Sequence, residues 1–103
     1  MPLLRTKKEV YKWLKQGKKT IDIRKGKPHR GEYAFFQCGQ KMLQLKITKT
    51  ETGRLTELVR EDNYWLVIPS AKTLEDAIVY LRELYGAYDS VFTAYRVSGD
   101  YEK

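Results

Sequence analysis

The spacing of apolar residues changes period at Gly17, and this change sets the class of fold the chain can adopt. Upstream, Val10, Trp13 and Leu14 recur at the spacing of one helix face. Downstream, Thr20-Ile21-Asp22-Ile23-Arg24 alternates polar and apolar, the two-residue period of a half-buried strand. Gly17 is able to take the left-handed conformation that ends a helix. Thr6 and Glu9 stand at capping-box spacing, which predicts a helix over residues 7–16 with Thr6 as its N-cap.

The rest of the chain continues the mixture. Glu32 to Cys38 reads as an aromatic strand, and Gly39-Gln40 as a turn into a strand from Met42 to Lys49 carrying Leu43, Leu45 and Ile47. Residues 54–62 suit a short helix, and Tyr64 to Ile68 suits either a strand or a buried loop ended by Pro69. Thr73 caps a longer helix that presents Leu74, Ala77, Ile78, Leu81, Leu84 and Tyr85 and stops at Gly86. Val91 to Val97 has the composition of a closing strand. This order predicts an α+β fold in one domain over residues 1–103, a small mixed β-barrel flanked by helices.

Charge is distributed unevenly. Residues 1–30 hold eleven Lys or Arg against two acids, Glu9 and Asp22, while residues 31–103 hold nine against eleven. The formal net charge is +7. A basic segment of this kind points to a polyanionic partner, nucleic acid first. Cys38 and His29 are each alone, which excludes an internal disulfide, a Cys-based zinc site and a multi-histidine site. No apolar run approaches the length of a membrane span. Charges begin at Arg5 with no apolar segment before them, so no secretory signal is expected. A cytoplasmic monomer without cofactor or metal is the expectation.

Gly17, Lys19, Asp22 and Arg24 form Gly-x-Lys-x-x-(acid)-x-Arg immediately after a first helix. This pattern, with the order of elements over nearly the whole chain, resembles the ASCH domain, a relative of the PUA family of RNA-binding barrels. The resemblance implies a barrel with a cleft beside the motif and an RNA-related or nucleoside-related ligand. The family's usual acid is Glu, and Asp22 stands there. A small bacterial branch, the N4-acetylcytidine amidohydrolases, uses the motif lysine, a threonine at the acid position and a glutamate before the late helix. Lys19 matches the lysine, Asp22 replaces the threonine, and Pro69-Ser70-Ala71-Lys72 carries no acid. Ribonuclease activity is linked to other members, but no histidine pair exists here for an acid–base mechanism.

RNA or a nucleotide is therefore the expected ligand. Lys19, Asp22 and Arg24 would line the cleft, while Lys18, Lys25, Lys27 and Arg30 would hold phosphates. Tyr64 and Trp65 are the first candidates for base stacking, because they fall in an irregular segment. Tyr33, Phe35, Phe36, Tyr88, Phe92 and Tyr95 are read individually as core. Ser70 would bind a ligand group or cap the late helix. A carboxylate between two cations stays ionised and accepts hydrogen bonds, which favours binding over catalysis at Asp22. The alternative is an amidohydrolase or ribonuclease with Lys19 and Asp22 as catalytic residues, and it gains if Glu61, Asp62 or Glu75 approaches Lys19. A protein-interaction module is the least favoured class.

Overall fold

In the first half of the chain Gly17, Gly26, Pro28, Gly31 and Gly39 fall between the strand signals rather than within them, so the strands pair at length and the helices fill in around them. A computed structural model describes residues 3–86 and 90–99. The elements run β1 (Leu3–Arg5), α1 (Lys8–Gln16), β2 (Ile21–Lys25), β3 (Tyr33–Cys38), β4 (Lys41–Gly53), α2 (Leu55–Leu58), α3 (Tyr64–Val67), α4 (Leu74–Tyr85) and β5 (Phe92–Ser98). The strands form one curled half-barrel sheet in the order β1-β3-β4-β5-β2. Only β1 against β3 is parallel; the other pairs are antiparallel.

Each face of the sheet carries its own core. On the inner face, Leu4, Ala34, Phe36, Leu45, Tyr95 and Val97 pack with Val10 and Leu14 of α1. On the outer face, Ile21, Ile23, Phe92 and Ala94 pack beneath α2, α3 and α4. β5 contributes to both cores, because alternate residues of a strand point opposite ways. Phe36, Phe92 and Tyr95 are buried as expected, whereas Tyr33 and Phe35 belong to neither core. Tyr88 lies outside the described residues.

Several local expectations change. β1 is a three-residue strand with no periodicity to announce it, and Thr6 follows it directly. The Thr6 hydroxyl donates to Gln37 O, so Lys7 is the N-cap residue of α1 and makes no side-chain cap. Gly17 ends α1 at φ 80°, in the left-handed region. The segment 54–62 is helical only over Leu55–Leu58, and 64–68 is a helical turn rather than a strand. Asn63 joins these two turns, accepting from Arg60 N at 2.7 Å and donating to Leu58 O at 3.0 Å. β4 is longer than expected and bulges between Ile47 and Lys49. Thr73 and Asp76 form the capping box of α4, so Ser70 is not its cap.

Candidate functional site

β1 and β2 are the two edges of the sheet, and the curl brings them close without pairing them. The Arg24 side chain spans the seam. Its Nη1 donates to Arg5 O of β1 at 2.7 Å, and its Nε donates to Asp22 Oδ2 at 2.5 Å. Asp22 and Arg24 sit opposite Tyr95 and Thr93 in the β2–β5 register, so both face the inner side. Asp22 is only 3% exposed, and a carboxylate that deep is tolerable because the guanidinium neutralises it.

Lys19 is also 3% exposed. Its ammonium donates to Ile21 O at 2.8 Å and to Val67 O, the otherwise orphaned carbonyl at the end of α3. Burial pushes the Lys19 ammonium down to about 8; nearby Asp22 holds it up, and Arg24 lowers it further. Burial disfavours the Arg24 charge, and Asp22 more than restores it through charge and hydrogen bond. Among the described residues, no buried side-chain nitrogen or oxygen lacks a hydrogen-bond partner.

A small cavity of about 40 Å³ opens on this seam. Its ionisable lining comprises Arg5, Lys7, Lys19 and Arg24 against Asp22, with Tyr80 and Tyr85 alongside. The volume suits about three water-sized atoms and excludes a nucleobase. Tyr85 donates to Ile23 O at 2.7 Å, and burial raises its phenol to about 12. Tyr80 donates to Glu9 Oε2, its ring lies 6.2 Å from Trp13, and Lys7 Nζ stands 5.2 Å from the ring centroid. These contacts clasp α1 to α4 beside the cavity.

The structure brings together three of the residues singled out from sequence: Lys19, Asp22 and Arg24. Lys18, Lys25, Lys27 and Arg30 are exposed and do not line the cavity. The loop they belong to is tied down by His29 N donating to the Tyr95 hydroxyl at 2.9 Å, and by the Thr93 hydroxyl donating to Gly26 O at 2.7 Å. Tyr64 packs on the outer core and donates to Lys72 O, while Trp65 is 46% exposed and meets Tyr64 edge-on at 5.3 Å. Neither lines the cavity, nor does exposed Ser70. Cys38 is half-buried at the end of β3. Glu61, Asp62 and Glu75 do not line the cavity, and Asp62 pairs with Arg60 at 3.5 Å. Sequence reasoning missed Arg5, Lys7, Tyr80 and Tyr85, because β1 carries no period and the clasp joins residues seventy positions apart.

No protein-family model matches this chain, and no curated protein does. The chain is similar in structure to the crystal structure of hypothetical protein PH0355, with a TM-score of 0.74 and 17% identity. That match covers 93% of this chain and 95% of the other, and it shows a shared fold alone. None of the described helices is long and apolar enough to cross a membrane.

Proposed function

We propose that this chain is an ASCH-like domain that binds RNA or a nucleotide, with a phosphate at the mouth of the seam between β1 and β2. The observation that carries this reading is the lining of the cavity: four cationic residues against one carboxylate. Asp22 is already engaged by Arg24, which leaves a net positive field at the opening. The cavity admits a few oxygen atoms and no base, so the anionic group is the part that enters. The basic first third of the chain supports the same choice of partner. A hydrolytic reading has less support, since the cavity offers no second acid among the described residues.

The test is fluorescence anisotropy of a short labelled single-stranded RNA over a range of salt. Lys7→Ala is expected to weaken binding and to reduce the slope of log affinity against log salt by about 0.7, the value for one lost phosphate contact on a single strand. Lys7→Ala combined with Arg24→Gln is expected to reduce it by about twice that. Unchanged affinity and slope in a folded double variant would remove the seam from the mechanism.

A further inference from the structure

The outer face of the sheet is covered over β2, β5 and the C-terminal half of β4, where α2 packs, and bare over β1, β3 and the first half of β4. No residue of β1, β3 or β4 belongs to the core beneath α2, α3 and α4. Strand register identifies the side chains on the bare face. Tyr33 lies opposite Lys46, Phe35 opposite Gln44, and Gln37 opposite Met42. Leu3 and Arg5 extend these rows on β1, and Ser98 extends them on β5. Directly opposed residues share a face. Leu3 is 57% exposed and Met42 52%, while Tyr33 and Phe35 are half-buried outside both cores.

We infer that this bare face is a stacking platform for the bases of a single-stranded RNA; the inference rests on the RNA-binding reading above and adds a second contact surface to it. Two rings two residues apart on one strand lie about 7 Å from each other, a spacing that can hold successive splayed bases on a sheet. Gln37, Gln44, Ser98 and the Tyr33 hydroxyl surround the rings with groups able to hydrogen-bond base edges. Lys46 supplies positive charge, and the acid on the outer side of β4, Glu51, lies at the covered end of the strand and is paired with Lys49 at 3.3 Å. This charge balance suits a polyanion with aromatic bases better than an acid-bearing protein surface. A concavity of about 320 Å³ lined by Tyr33, Gln44, Lys46 and Ser98 lies on the same face. The seam takes a phosphate, and the platform takes bases that the seam is too small to admit.

The platform is tested with Tyr33→Leu/Phe35→Leu, which keeps apolar contact between strands and removes the rings. Affinity is measured for a short oligouridylate and for its abasic counterpart, with far-UV circular dichroism confirming the fold. The double variant is expected to lose on the order of tenfold or more for the oligouridylate and nothing for the abasic strand. The same loss with a neutral Lys7→Ala would support the platform while removing the seam. Unchanged oligouridylate affinity in the double variant, with Lys7→Ala still weakening it, would overturn the platform and leave the seam. Absence of RNA binding by the wild type would overturn both. A homodimer by sedimentation that the double variant dissolves, with RNA affinity unchanged, would assign the face to a second copy instead.

Discussion

Asp22 and Phe35 both sit inside strands, and each ends where its chemistry would not send it. Asp22 is a carboxylate buried at the seam; Phe35 is an aromatic ring half open to water on the bare face. The seam tolerates its charge because Arg24 pairs with Asp22 and then reaches across to Arg5 O. The bare face leaves its rings uncovered because the helices reach β2, β5 and the end of β4 but not β3. A shared strand pattern therefore leads to opposite environments, decided by what packs on each side. Buried polar groups at the seam hold one another through charge and hydrogen bonds, whereas the bare face has cross-strand neighbours and no layer above them.

The sharpest challenge to that contrast is Asp22→Ala. It leaves the Arg24 guanidinium without its partner in a site that is mostly buried, and a loss of about 3 kcal/mol in urea unfolding is expected. A shift in midpoint no larger than that of a surface variant would erase the distinction. Next comes the pH dependence of Lys19. Its folded value lies near 8, below the ordinary 10.5, so the unfolded chain holds this proton more tightly through that window. Stability should rise with pH from about 8 towards 10, by about 1.4 kcal/mol per unit relative to Lys19→Met. Equal slopes for the two proteins would mean that the ammonium is not desolvated.

Tyr85→Phe removes the hydrogen bond to Ile23 O and should cost about 1 kcal/mol by thermal unfolding. Phe35→Leu stands at the small end. On the bare face it should change stability by about 0.5 kcal/mol or less while weakening RNA binding. A large loss of stability there would mean that Phe35 is a core residue.

Local signals in the sequence accounted for much of this architecture. The period change at Gly17, the cap at Thr73 and the strands expected at 32–38 and 42–49 each act within a few residues, and each formed, whereas the capping box expected at Thr6 and Glu9 did not, because Thr6 is held by Gln37 O. Signals that depend on distant partners were not legible. Leu3–Arg5 becomes a strand only because Phe35–Gln37 is there to pair with it. Lys19 has the composition of a surface residue and is buried because α3 offers a bare carbonyl. Tyr33 and Phe35 look like core from composition, and only the extent of the helices leaves them outside. The motif brought Lys19, Asp22 and Arg24 to notice together, but their neighbours Arg5, Lys7 and Tyr80 come from elements that only the folded chain assembles.

The seam as a phosphate site is tested most directly by an amide NMR titration with a short single-stranded RNA at low and high salt. Shifts are expected at residues 5–7, 22–24 and 80–85, weakening as salt rises. Shifts confined to the loop at 25–30, or none at low salt, would contradict it.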